Sequence, residues 1–326
     1  MPAERDPTIS HDVHTGRTVF IAPKRDDRPG DAQLGGSGGA APEAWCPFCA
    51  GNESRTPPAV RQAPADPRRA WQSRIIPNRY PFVEPQPHAL GGTERPAHGI
   101  HEVLIESPRH HTSILEIEPA AWDEAWGLVQ GRLADLAARP DLAWGMVFKN
   151  SGPRAGASLE HVHSQLVAVD FLPPALAAEF VAATTQADPF ATLLADAATD
   201  RRVVAETDGL VALVPSAPRQ PGELWIVPAL REPHFHAASP ERAATLADLT
   251  RDLVGRLARI LPGADFNWWL HEAAWQAEAA PAATDRWHWH LEILPRVNQL
   301  AGFELGTGCH ITPLPAAEAA ARLRDA

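Results

Sequence analysis

Two short histidine motifs, one in each half of the chain, constrain the fold most. The first is Gly156-Ala157-Ser158-Leu159-Glu160-His161-Val162-His163-Ser164-Gln165, followed by the apolar run Leu166-Val167-Ala168-Val169. The second is Trp287-His288-Trp289-His290-Leu291-Glu292-Ile293. In a strand, side chains alternate between faces, so His161, His163 and Gln165 share one face. Two imidazoles and an amide on one face can form a site. The same pattern also describes a polar sheet edge with surface histidines, and the motif alone does not decide between them.

The segments around the two motifs repeat in the same order. His101–Glu106 reads as a strand, and residues 119–138 as a helix with Trp122, Trp126, Val129, Leu133 and Leu136 at three- and four-residue steps. Trp144–Asn150 reads as a second strand, and the first histidine motif follows. Gly222–Pro228, residues 240–260, Phe266–His271 and the second motif repeat that series. A repeat of this kind predicts an α+β fold in two related parts, each an antiparallel sheet packed with helices. Further strands are expected at Thr18–Pro23 and Ile75–Pro81. The Gly-, Ala- and Pro-rich residues 30–44 read as a mobile loop.

Composition narrows the class. At 326 residues the chain is long enough for about two domains. A net charge of −11 argues against a nucleic-acid-binding surface. No apolar run is long enough to suggest a membrane span. The charged start, Met1-Pro2-Ala3-Glu4-Arg5-Asp6, lacks an apolar signal core, so the expected compartment is the cytoplasm. Cys46, Cys49 and Cys309 are too few for a disulfide framework.

Cys46 and Cys49 form a CxxC. With His110 and His161 they would make a Cys₂His₂ set suited to tetrahedral zinc, and His111 could stand in for His110. A redox role is the other reading of a CxxC, but no βαβ pattern surrounds this one. The two histidine motifs differ at one position. Gln165 is neutral and can donate to a phosphate oxygen, whereas Glu292 would place an anion there. Chemistry on a phosphorylated substrate is therefore expected in the first half. The second HxH suits a metal or a Trp-flanked structural network.

Taken together, these residues resemble the galactose-1-phosphate uridylyltransferase family, a two-domain branch of the histidine-triad superfamily. The likeness runs from Thr15–Arg25 through Cys46-Pro47-Phe48-Cys49, Phe148-Lys149-Asn150 and Gly156–Gln165 to His288-Trp289-His290 and Ala301–Glu304. It implies two tandem histidine-triad-like domains, residues 45–185 and 186–326, after an N-terminal strand and loop over residues 1–44. It also implies that His163 attacks the α-phosphorus of a nucleotide sugar to form a covalent nucleotidyl-histidine, with Gln165 beside it. Arg25, Arg28, Asn78, Asn150, Ser158 and Glu304 match substrate-binding positions. Cys46, Cys49, His110 and His161 match the family's zinc set. Glu179, His271, His288 and His290 match a second site, for zinc or iron, found in some members.

The implied substrates are a nucleotide sugar and a sugar 1-phosphate. The implied assembly is a homodimer, with Arg25 and Arg28 acting across its interface. The main expectation is transfer of a nucleoside monophosphate between sugar 1-phosphates, of the UDP-glucose–hexose-1-phosphate uridylyltransferase type. The alternatives are a nucleotide-sugar phosphorylase of the ADP-glucose phosphorylase type, a nucleotide hydrolase, and a nucleotide-binding scaffold. Two departures stand out. Val162 replaces the proline usual between the two histidines, which predicts looser positioning of His163. His310 stands where many uridylyltransferases carry a glutamine, which leaves hexose specificity open.

Overall fold

A computed structural model of the chain describes residues 6–12, 14–27, 45–66, 68–87, 95–185, 188–276 and 284–326. Arg28 and the loop expected at residues 30–44 lie outside them. In chain order, β1 (Thr8–His11) and β2 (Thr18–Ile21) precede β3 (Arg61–Ala63), β4 (Ser73–Pro77), β5 (Arg95–Pro96) and β6 (Gly99–Ile105). Next come α1 (Pro119–Ala137), β7 (Trp144–Ser151), β8 (His163–Val169), α2 (Pro174–Thr185) and α3 (Pro189–Thr199). The remainder is β9 (Val203–Thr207), β10 (Leu210–Leu213), β11 (Leu224–Pro228), α4 (Pro240–Ile260), β12 (Phe266–His271), β13 (His290–Pro295), α5 (Gly302–Thr307) and α6 (Ala316–Arg324).

The fold is α+β with antiparallel pairing between its named strands. β1, β2 and β5 form a small sheet. The other ten strands form one sheet in the order β3-β4-β6-β8-β7-β12-β13-β11-β10-β9. That order reads the same way from both ends: β3, β4, β6, β8 and β7 are answered by β9, β10, β11, β13 and β12. The internal repeat is thus visible in the topology. The two halves meet at β7 and β12, where Asn267 lies opposite Asn150 and Trp269 opposite Phe148. The sheet crosses this seam without a break.

The periodicity read from the sequence explains the helix layer. α1 opens with Pro119 in its first turn and buries Trp122, Trp126, Val129, Leu133 and Leu136. α4 is capped by Ser239, whose hydroxyl accepts the Arg242 N–H, and buries Leu246, Leu249, Leu253 and Leu257. The main core joins both halves. Trp126 of α1 stacks on Trp268 of β12 at 5.2 Å, and Trp122 donates its indole N–H to the Ala247 carbonyl of α4. A second cluster packs α2 and α3, through Phe180 and Phe190, against Trp287, Val211 and Val227. Among the described residues, no helix is long and apolar enough to cross a membrane.

Candidate active site and metal centres

β8 lies between β6 and β7, hydrogen-bonded on both sides, so its register is fixed. Ile105 faces His163 across one edge, and Phe148 faces Gln165 across the other. The turn from β7 into the histidine motif needs Gly152, at φ +87°. A Cβ there would lie 2.0 Å from Asp265 Oδ1. The strand begins at His163, so His161 and Val162 belong to the approach rather than to the strand.

His163 Nδ1 lies 2.7 Å from its neighbour's carbonyl, His161 O. A neutral imidazole donating through Nδ1 keeps its lone pair on Nε2, the nucleophilic nitrogen. Beneath the ring, Lys149 donates to the His163 carbonyl at 2.8 Å and to Glu106 Oε2 at 2.6 Å. Ser164 donates its hydroxyl to the other Glu106 oxygen. Lys149 and Glu106 are both buried. Burial pushes the Lys149 ammonium below its usual range, and the Glu106 carboxylate opposes that push.

His163, Gln165, Ser158 and Asn78 line one cavity of about 300 Å³. Its apolar side is Trp45, Phe48, Pro57, Ile76 and Tyr80, and Arg55 and Arg79 reach its wall. This pairing of a flat apolar slot with convergent polar groups fits a nucleotide-sized ligand. A larger concavity of about 720 Å³ beside β3 and α1 has no histidine or cysteine in its lining.

Gln165 is oriented by two neighbours. His101 Nε2 lies 2.9 Å from Gln165 Oε1, and Asn78 Nδ2 lies 3.4 Å from it. The Phe82 N–H points at His101 Nδ1, and His101 Nε2 also lies 3.0 Å from Asn78 Nδ2, so the three side chains form one cluster. With its oxygen engaged, Gln165 offers its NH₂ group as a donor. His101, Lys149, Glu106 and Ser164 are positioning residues that sequence reasoning missed. Ser164 and Lys149 lie inside the quoted motifs without a role of their own, and His101 and Glu106, on and just after β6, have no spacing that links them to β8.

The first metal-type cluster forms as expected. The ligand atoms of Cys46, Cys49, His110 and His161 all lie within 4.8 Å of one another. Cys46 Sγ is 3.5 Å and Cys49 Sγ 3.6 Å from His161 Nδ1, and Cys49 Sγ is 3.4 Å from His110 Nδ1. A tetrahedral ion with metal–sulfur and metal–nitrogen bonds of about 2.3 and 2.0 Å would set sulfur and nitrogen about 3.5 Å apart. His161 Nε2 lies 2.9 Å from the Ser107 carbonyl, so Nδ1 faces the thiols. Burial lowers the His161 pKa to about 4, which keeps the imidazole in its neutral, metal-binding form. His111 is not part of the cluster. Its carbonyl accepts the Val162 N–H at 2.8 Å.

In the second half, Glu179, His271 and His290 come together. His271 Nδ1 is 3.3 Å from Glu179 Oε2, and His290 Nε2 is buried without a hydrogen-bond partner. His288 does not join this group. Its Nδ1 bonds to the Pro228 carbonyl at 2.8 Å, and its ring stacks on Phe190. Glu292 lies beside the three, 3.7 Å from His290 Nε2 and 3.8 Å from His271 Nδ1. Arg219 also pairs with it. Burial opposes the ionised carboxylate, but His290, Arg219 and His271 outweigh it and hold the Glu292 pKa at about 2.

The remaining expected site residues are more dispersed. Asn150 accepts from Asn267 Nδ2 at 2.8 Å, on the seam between the halves. Arg25 sits on a 3₁₀ turn, its guanidinium 5.9 Å from the Phe82 ring. Glu304 lies in α5 and accepts the Ala301 N–H. None of these three lines the cavity around His163.

Comparisons with known proteins bear on the family and the fold. The family model "Galactose-1-phosphate uridyl transferase, N-terminal domain" matches residues 7–173. A domain of unknown function (DUF4921) matches residues 129–325. ADP-glucose phosphorylase from Arabidopsis thaliana is 29% identical, over 98% of this chain and 93% of that protein. Galactose-1-phosphate uridylyltransferase from Thermotoga maritima is 24% identical, over 76% of this chain and 82% of that protein. The solved Arabidopsis ADP-glucose phosphorylase with bound ADP-glucose superposes with a TM-score of 0.78 at 26% identity, covering 99% of both chains.

Proposed function

The chain belongs to the galactose-1-phosphate uridylyltransferase family, and from that premise we propose that it is a nucleotide-sugar phosphorylase acting through His163. The observation that carries the proposal is the fixed tautomer of His163 in a cavity it shares with Gln165, Ser158 and Asn78. Nε2 attacks the α-phosphorus of a nucleoside diphosphate sugar. The bond from that phosphorus to the bridging oxygen breaks, and the sugar 1-phosphate leaves with the electron pair. The nucleotidyl-imidazole that forms is cationic, and the His161 carbonyl that accepts the Nδ1 proton stabilises it. An oxygen of the acceptor then attacks the same phosphorus, and the phosphorus–nitrogen bond breaks. Gln165 donates to the phosphoryl oxygens at both steps.

Inorganic phosphate is the proposed acceptor and ADP-glucose the proposed donor. The Arabidopsis phosphorylase aligns with nearly the whole chain. Transfer to a hexose 1-phosphate is the second reading, favoured by the family model. Cys46, Cys49, His110 and His161 would hold zinc, which there anchors the approach to β8 and takes no part in bond making. A homodimer is also proposed. Phe303, Leu305 and Ile311 are exposed apolar side chains around α5, a surface suited to a second copy.

The test is a trapping experiment. Protein is mixed with ADP-glucose or UDP-glucose labelled in the α-phosphate, quenched with base and assayed for acid-labile label. Phosphate or galactose 1-phosphate is then offered to the labelled protein. Label from ADP-glucose discharged by phosphate supports the proposal. Label from UDP-glucose discharged only by galactose 1-phosphate favours the second reading. No label from either donor overturns both.

A further inference from the structure

A third cluster of metal-type ligands lies apart from the two already described. It comprises His234, His236 and Glu272, whose ligand atoms all fall within 4.8 Å of one another. Glu272 is fully buried, and its partner among the described ion pairs is a histidine. His236 Nδ1 sits 3.0 Å from both carboxylate oxygens at once. His234 Nδ1 is buried without any hydrogen-bond partner. A hydrogen bond between His236 and Glu272 leaves that nitrogen orphaned, which is costly for a buried polar atom.

From this geometry we infer that His234, His236 and Glu272 bind a divalent transition-metal cation of the zinc class. Two imidazoles and one carboxylate are a donor set that zinc accepts, with water completing the shell. The ion satisfies the orphaned nitrogen and takes the buried carboxylate as a ligand. The ligands are held in place before it arrives. Phe235, between the two histidines, is fully buried, and Gln130 of α1 donates to the carbonyls of Phe235 and Ala238. The Trp275 indole donates to a Glu272 oxygen, and the Trp144 indole of β7 donates to the Glu272 carbonyl. First-half elements α1 and β7 therefore grip the second-half segments that carry the ligands. The ion joins the His234–His236 turn to the end of β12, two second-half segments that first-half side chains already hold, a structural role separate from the chemistry at His163.

The experiment is zinc analysis of the full chain after saturation with zinc and removal of excess, for the wild type and for His234→Gln and His236→Gln. Each variant is expected to hold one equivalent fewer than the wild type, and to form the His163 adduct as the wild type does. A folded variant with the wild-type zinc content overturns the inference. Should neither variant fold, crystals of the zinc-saturated wild type measured at the zinc absorption edge decide the matter. An anomalous peak between the three side chains supports the site, and its absence there overturns it.

Discussion

The two halves carry the same backbone device in different chemical surroundings. In each, the second histidine of the motif bonds through Nδ1 to the carbonyl of the first, at 2.7 Å for His163 and 3.1 Å for His290. In each, a neighbouring strand lies opposite the residue two positions on: Phe148 opposite Gln165, and Trp269 opposite Glu292. Two residues further along those strands stand Asn150 and His271. The first half thus sets neutral side chains at these positions, and two of them, His163 and Gln165, line a cavity. The second assembles His290, Glu292 and His271, an anionic and imidazole-rich set that Glu179 joins. The geometry that fixes a histidine tautomer does not by itself make a nucleophile. Charge and open space around the ring decide its use.

The largest effect expected from breaking this comparison is on the nucleophile. His163→Ala should abolish the base-stable, acid-labile adduct and lower turnover by at least about a thousandfold, as loss of a covalent nucleophile does elsewhere. His290→Ala should leave adduct formation within a few-fold of the wild type. Single-turnover labelling of both variants checks the pair, and equal losses would contradict the division of labour. Gln165→Glu places the second half's residue in the first. It should cost roughly a hundred- to a thousandfold in adduct formation, the order seen when a transition-state donor is lost, with little change in melting temperature.

A stability effect comes next. Lys149→Met leaves Glu106 buried without its cation and should cost about 3–5 kcal/mol in urea unfolding. Replacing both partners with apolar residues should recover much of that loss, because neither charge is then stranded. A single mutant as stable as the wild type would show that the pair does not hold the β8 approach.

The acid limb of stability tests the anionic half. The folded-state pKa of Glu292, about 2, lies below the ordinary glutamate value of 4.5. A depressed carboxylate stabilises the fold above its unfolded pKa, and that contribution is lost as pH falls from about 4.5 to about 2. A shift of this size is worth about 3 kcal/mol. Urea midpoints measured across that window should fall less steeply in Glu292→Gln than in the wild type.

How much of this was legible in the sequence follows from where the signals lie. The helix expected over residues 119–138 and that over 240–260 match α1 and α4, because their apolar stripes are long and regular. The repeat was readable because both copies keep their HxH. The CxxC drew attention to a cluster whose other ligands lie far off in sequence, and the family resemblance supplied His110 and His161. The continuous sheet across the seam was not readable, since nothing in β7 or β12 names its partner. Arg219 beside Glu292 was missed for a similar reason: the two are 73 residues apart. His101 escaped because one histidine in the buried strand β6 carries no period.

Val162 gives the smallest expected effect and the sharpest local one. The sequence suggested that losing the usual proline would loosen His163. The structure gives this residue another means of fixing the chain. The Val162 side chain is buried in the main core, and its N–H donates to the His111 carbonyl at 2.8 Å. A proline has no N–H to give. The hydrogen bond ties the approach to β8 directly to the segment that carries His110, so the two histidines of the metal-type cluster are joined by backbone as well as by any ion. Val162→Pro should therefore not stiffen the site. It removes a buried bond worth about 1 kcal/mol and leaves the His111 carbonyl unpaired. The variant should unfold at lower urea and form the His163 adduct more slowly. A Val162→Pro protein that is more stable and labels faster would mean that proline's rigidity outweighs the bond it removes.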